Sequence, residues 1–305
     1  MSAGVVVRVP GKINLQLSVG PLEKTGFHEV ATVFQAVSLF DDVIVKSGPP
    51  NGGIEIKISG ENTDHIPVNQ NNLAYKAAEL MAKKYKVSSD LGIHLNKNIP
   101  VAGGMAGGSA NAAGVIVGID AIYNLGLKRD DMEKVGREIG SDVPFAISGG
   151  IAIGTGKGDQ ITPALSRGSY HWVLALSASG LSTPAVYNEC DRLREGMSII
   201  APSVSEPLMQ ALRSGDAKEL GKTLSNDLQA AACSLRPALR LILDVGMDYG
   251  TLGGLVSGSG PTVAFLAEDE EHSLDLIVAL KTSGVVGNVL HVGGPVHGAR
   301  VIETL

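Results

Sequence analysis

Two cysteines, one tryptophan and five phenylalanines are a thin allotment for a chain of 305 residues. Cys190 and Cys233 stand apart with no C-x-x-C pair, so a disulfide framework and a cysteine-built zinc site both lack their raw material. They read as two reduced, packed thiols of a cytoplasmic protein. The histidines are scattered without metal-ligand spacing. No stretch approaches the ~18 unbroken apolar residues of a membrane span. The opening "MSAGVVVRVPGK" offers too short an apolar run for a signal segment. A basic excess is missing as well: the net charge is -6, which argues against a nucleic-acid partner. An acidic chain that binds a polyanion needs a local positive site to do so.

The standard nucleotide loops are missing too. "GTGKGD" (154–159) lacks the hydroxyl residue after Lys157 and the four-residue spacer of a Walker loop, so it reads as a turn between strands. The glycines from Gly103 to Gly108 do not fall as G-x-G-x-x-G. No acidic residue closes a βαβ unit behind them, so the dinucleotide reading fails.

What remains is rich in glycine, with 39 residues, and 44% hydrophobic, enough for a substantial core. The length fits two domains. Residues 4 to 20 alternate with period two: Ile13, Leu15 and Leu17 on one face, Asn14, Gln16 and Ser18 on the other. Pro10 and Gly11 are expected to interrupt this strand. "NNLAYKAAELMAKKYKV" shifts to helical period, and "LGIHLNKNIPV" returns to strand. "SANAAGVIVGIDAIYNLG" is apolar nearly all round, a buried helix with Ser109 as expected N-cap and Gly126 as expected stop. Near residue 165 the texture changes, and helices dominate to the C-terminus. This predicts an α+β fold of two domains, 1–165 and 166–305, with a cleft between them. The strand-like tail "ARVIETL" is expected to pack back on the first domain.

Three segments carry candidate chemistry. "IPVAGGMAGGSANAAG" (99–114) runs from a strand through Gly103, Gly104, Gly107 and Gly108 into a helix. Such a turn lets backbone N–H groups and a helix dipole face an anion. Alone it is equally a tight structural turn. "PGKINLQL" (10–17) puts Lys12 beside Asn14 on the polar strand face, where a lysine alone reads as a solubilising charge. "IGSDVPFAISGG" (139–150) places Asp142 ahead of Val143-Pro144, where an aspartate alone reads as a helix cap.

Taken in order, Pro10–Leu15, Pro100–Ala110 and "VSGSGPTVA" (Val256–Ala264) resemble the three motifs of the GHMP kinase superfamily, and they span essentially the whole chain. "PGKINLQLSVGPLEKTGFHEVATVFQAVSLFD", "IGSDVPF" and "STPAVY" (182–187) narrow the resemblance to the members that phosphorylate 4-diphosphocytidyl-2-C-methyl-D-erythritol. The resemblance implies a ribosomal protein S5 domain 2-like N-terminal domain and a C-terminal α/β sandwich domain. It implies ATP and Mg²⁺ as cofactors and the non-mevalonate isoprenoid route as the setting. Asp142 would be the general base and Lys12 the charge stabiliser. Pro100, Val101, Ala102, Gly103, Gly104, Met105, Ala106, Gly107, Gly108, Ser109 and Ala110 would bind ATP phosphates, with Ser109 also near Mg²⁺. Phe27 and Tyr187 would sandwich the cytosine, His28 would bond its edge, and Asn14 and Thr183 would hold the rest of the substrate. Lys97 to Ile99 and the helix start near Asn72 would flank the adenine.

Gly11, Met105 and Ala106 depart from the motifs. At a position needing φ > 0, Ala106 costs roughly 1 kcal/mol. The same fold acting on another small alcohol, of homoserine or mevalonate type, and a non-catalytic nucleotide sensor are the alternatives. The chain is expected to be a monomer or homodimer.

Overall fold

The structure, a computed structural model, describes residues 4–177 and 179–305. Two long strands, β1 (Gly4–Leu22) and β2 (His28–Ser47), form an antiparallel hairpin that runs through the whole N-terminal half. Pro10 and Gly11 do not interrupt β1. They sit at a register shift, where the strand bends and continues. A bulge accommodates the proline without ending the ladder.

Beyond β2 lie β3 (Ile54–Gly60), α1 (Leu73–Tyr85) and β4 (Leu91–Lys97), with β4 antiparallel to β2 and β3 parallel to β4. Then come α2 (Gly107–Tyr123), α3 (Arg129–Ile139), the short α4 (Val143–Ser148), β5 (Ile151–Thr155) and β6 (Gln160–Pro163). β4 pairs the C-terminal half of β2 and β5 its N-terminal half, so one strand serves two regions. α2 lies flat on this sheet. A Cβ on Gly114 would come within 2.7 Å of Val43, and one on Gly118 within 2.6 Å of Val45. Four residues apart, these two clear one helix face for the strand valines.

The second sheet takes β7 (Tyr170–Leu176), β9 (Gly253–Val256), β10 (Val263–Ala267) and β11 (Asn288–Gly294), in the order β11-β7-β10-β9, all antiparallel. Around it pack α5 (Thr183–Leu193), α6 (Glu206–Ser214), α7 (Ala217–Thr223), α8 (Gln229–Leu235), α9 (Ala238–Asp248) and α10 (Glu270–Thr282). "AKELGKTLSNDLQAAA", which reads as one helix, is two. Ser225–Asn226 (β8) turns extended between them to pair with β1. The final strand β12 (Arg300–Thr304) hydrogen-bonds to β1 at the edge of the first sheet. Among the described residues no helix is long and apolar enough to cross a membrane.

Candidate active site

A cleft of about 750 Å³ opens where the hairpin, the start of α2, the start of α4 and the second sheet's α5 converge. Its glycine-rich wall differs from expectation at one point. α2 starts at Gly107, not after Ser109, and its N-cap is Ala106 at φ 58, ψ 30, with no side-chain cap. Ala102 (φ 51) and Gly104 (φ 77) share the left-handed conformation. Three such residues in five wind the loop tightly before the helix. The first helical bond, Ala110 N–H to the Ala106 carbonyl at 2.9 Å, leaves the N–H groups of Gly107, Gly108 and Ser109 unpartnered at the helix end. Those donors and the helix dipole face the cleft, a ready anion site. Two expected phosphate residues do not reach it: Met105 is fully buried, and Ala110 is buried with its N–H committed. Val101 is exposed but does not line the cleft.

The loop is pinned from several sides. Lys12 N–H donates to the Met105 carbonyl at 3.2 Å, Thr262 N–H to that of Gly103 at 3.3 Å, and the Ser257 hydroxyl to that of Gly104 at 3.1 Å. Gly104 admits no side chain, because its Cβ would sit 2.2 Å from the Ser257 carbonyl oxygen. From beneath, the wholly buried Asp41 accepts the N–H groups of Asn98 (2.7 Å) and Ile99 (2.8 Å). Its other oxygen takes Lys97 Nζ and Asn111 Nδ2, and Lys97 also donates to Asn111. Burial pushes the Lys97 ammonium down from its ordinary value, while Asp41 pulls it back. Lys97 and Ile99 are therefore internal struts and not an adenine contact. Asn72 likewise caps α1 and donates to the Pro67 carbonyl.

Lys12 is buried too, against its reading as a solubilising charge. Its Nζ donates to Asn14 Oδ1 at 2.6 Å, Asn14 Nδ2 to Thr32 Oγ1 at 2.8 Å, and that hydroxyl to the Gln16 carbonyl at 2.7 Å. Asn14, expected on the substrate, lines the cleft and also orients the lysine. Burial pushes the Lys12 ammonium down from its ordinary value, and the nearby charge of Asp142 works against that. Asp142 occupies the N-cap position of α4 but makes no side-chain cap bond. It lines the same cleft as Lys12.

At the far end, Phe27 tops the hairpin, half exposed, with Lys157 Nζ 3.5 Å over its ring. Lys157 belongs to the turn that imitates a Walker loop. The turn is structural, yet its lysine lines the cleft, and local spacing alone gave no signal of it. Tyr187 faces the His28 ring at 5.2 Å, and burial, aided by Asp142, holds its phenol pushed up to about 12. The His28 ring lines the cleft, with its Nδ1 anchored and its Nε2 in no hydrogen bond among the described residues. Its Nδ1 lies 2.9 Å from the Gly20 carbonyl and its Nε2 3.3 Å from Asp191 Oδ2. The Thr183 hydroxyl pairs with Ser259 at 2.9 Å on the cleft wall.

Sequence comparison covers both halves. Residues 72–150 match the GHMP kinases N terminal domain and 208–286 the GHMP kinases C terminal domain. A 4-diphosphocytidyl-2-C-methyl-D-erythritol kinase of Nocardia farcinica is 48% identical over 98% of this chain and 96% of its own length. This chain belongs to the 4-diphosphocytidyl-2-C-methyl-D-erythritol kinase family. The Mycobacterium tuberculosis (strain H37Rv) member is 47% identical over 99% of this chain and 94% of its own. A solved 4-(cytidine 5'-diphospho)-2C-methyl-D-erythritol kinase superposes with a TM-score of 0.75 at 28% identity, covering 94% of this chain and 98% of that one. A homoserine kinase from Cytophaga hutchinsonii gives 0.77 at only 16% identity, covering 98% and 97%, and so shares the fold alone. As a member of the kinase family the chain is an ATP-using enzyme.

The unpartnered helix-end donors fit nucleotide phosphates. For a metal, the described residues hold no group of three or more His, Cys, Asp or Glu side chains.

Proposed function

We propose that this chain transfers the γ-phosphoryl group of ATP to the 2-hydroxyl of 4-diphosphocytidyl-2-C-methyl-D-erythritol, giving ADP and the 2-phosphate. The setting is the cytoplasm and the non-mevalonate isoprenoid route. The observation that carries the reading is the pairing across one cleft of a buried ammonium, Lys12, with an aspartate that caps nothing, Asp142, beside an uncommitted helix N-terminus.

Phosphoryl transfer asks a protein for positioning and charge stabilisation. The N–H groups of Gly107, Gly108 and Ser109 hold the triphosphate. Asp142 accepts the proton of the attacking hydroxyl. Lys12, aimed by Asn14 and stripped of water, stabilises charge on the attacking oxygen and the transferring group. Ser109 would help hold Mg²⁺, which would supply further charge neutralisation. Phe27 and Tyr187 stack on the cytosine, worth about 1–3 kcal/mol per base. His28 closes the base end, with Thr183 on the erythritol side. The two lobes divide near residue 165.

Purified protein with ATP and Mg²⁺ is offered the cytidyl substrate, homoserine and mevalonate in parallel. ADP release with the first alone is expected. Release with homoserine or mevalonate and none with the cytidyl substrate contradicts the proposal.

A further inference from the structure

The hydrogen bonds behind Lys12 can run in one direction only. Gln16 contributes a backbone carbonyl, which accepts and never donates, so the Thr32 hydroxyl spends its hydrogen there, at 2.7 Å. Toward Asn14, 2.8 Å away, the Thr32 oxygen can then only accept. The amide must turn its N–H₂ to Thr32, which leaves its oxygen facing the Lys12 ammonium at 2.6 Å. All three side chains are buried, Thr32 to 1% exposure, so a partner lost here is costly. The pleat puts them on one face of the hairpin, because Asn14 pairs with Phe34, two residues from Thr32 on β2. The far end of the chain is fixed as well. Gln16 pairs with Ser225 of β8, its side-chain amide donates to the Ser203 carbonyl at 2.7 Å, and its amide oxygen accepts the Ser205 N–H at 2.8 Å.

We propose that Thr32 is a positioning residue for the phosphoryl transfer, holding the Asn14 amide with its oxygen on Lys12, a role that rests on reading Lys12 as the charge stabiliser of this cleft. A primary amide has no fixed end of its own: a half-turn about its last side-chain bond exchanges the acceptor for the donors. Without an acceptor at position 32 the buried N–H₂ of Asn14 is unsatisfied, and the amide turns to find another, taking its oxygen off Lys12. That oxygen is the one hydrogen-bond acceptor of the Lys12 ammonium among the described residues. What remains to the ammonium is the through-space charge of Asp142 at the start of α4, which aims nothing. Thr32 acts through Asn14 and not on the substrate, since its hydroxyl hydrogen is already committed to Gln16.

The test compares T32V, T32S and T32C with wild-type protein in two readouts. One is kcat and KM with ATP and the cytidyl substrate. The other is the titration of Lys12 by carbon-13 NMR, in protein labelled at the lysine ε-carbons, its signal assigned by its absence in K12R. T32V, nearly isosteric, is expected to lower kcat by about tenfold or more, as for the loss of a hydrogen bond to a charged group, with KM for ATP within about twofold. Its Lys12 midpoint moves down by about one pH unit. T32S keeps the oxygen and restores both readouts. T32C has the size of serine but only a weak acceptor, so it follows T32V and decides the matter if valine prevents folding. A T32V protein with wild-type kcat and midpoint, a fall in kcat with the midpoint unmoved, or equal behaviour of T32S and T32C overturns the assignment. Turnover by the wild type is a separate matter: a protein that makes no ADP from the cytidyl substrate contradicts the proposed reaction, while the Lys12 midpoints still decide whether Thr32 holds Asn14 on the lysine.

Discussion

The ammonium of Lys12 donates to the amide oxygen of Asn14 at 2.6 Å, and the charge of Asp142 reaches it only through space. A buried cation held by a neutral partner loses its proton more readily than an exposed one. The charged form disappears as pH rises through the lowered pKa, and activity that needs the ammonium disappears with it. The kcat/KM profile, which reports the free enzyme, is therefore predicted to fall on an alkaline limb below the ordinary lysine value of 10.5. Lys12→Arg removes that limb, and Lys12→Met lowers kcat by about 10²–10³. For stability the sign is the reverse. Between the lowered and the ordinary value the unfolded chain binds more protons at this group, so its contribution rises with pH. A pH–rate profile of wild-type and K12R protein checks the first statement, and denaturant titrations across the same range check the second.

Asp142 sits at a helix start without capping it. Losing a real cap costs typically ~1 kcal/mol. Asp142→Asn is therefore predicted to lower kcat by about 10²–10⁴ while costing stability no cap, only the through-space attraction to Lys12. ATP binding, read by equilibrium titration, stays intact. A variant that loses stability but keeps turnover shows the residue to be a cap.

Adjacent loop positions respond in opposite directions. Gly104→Ala forces a side chain onto the Ser257 carbonyl at a φ of 77, so KM for ATP rises by an order of magnitude or more. Ala106→Gly relieves a left-handed alanine and adds up to about 1 kcal/mol of stability without raising KM for ATP. Steady-state kinetics and chemical denaturation of the pair decide it.

Asp41 does not line the cleft, yet it ties the strand that enters the loop to Lys97 and Asn111 beneath the first turn of α2. Asp41→Asn leaves Lys97 buried without its counter-charge, a change expected to cost about 3–5 kcal/mol. KM for ATP rises more than KM for the alcohol substrate. Lys97→Met in the same chain restores part of the lost stability. A double-mutant cycle in urea measures the coupling.

Much of the site was legible in the sequence because its parts are local. The glycine loop, Lys12 with Asn14, and Asp142 ahead of its proline each sit on a few consecutive residues, and the structure brings them to one cleft. Period-two alternation likewise predicted strand over residues 4 to 20, though not its continuity through Pro10 and Gly11, and composition the two-part α+β organisation. What stayed hidden depends on contacts between distant segments. Ser109 reads as a cap by residue type, but the pinned loop caps the helix three residues earlier with an alanine. Lys157 reads as a turn residue until the fold lays it over Phe27, 130 positions earlier in the chain. Lys97 reads as a ligand contact until Asp41 is found under it.

We propose that Lys12 and Asp142 direct a phosphoryl group from ATP to one hydroxyl of a cytidyl sugar alcohol. Phosphorus NMR of the product made from 4-diphosphocytidyl-2-C-methyl-D-erythritol labelled with carbon-13 at C2 tests it most directly. A new phosphomonoester signal coupled to C2, formed by wild-type protein and almost absent with D142N, is the predicted result. A phosphomonoester on another carbon, free phosphate in its place, or the same rate from D142N contradicts it.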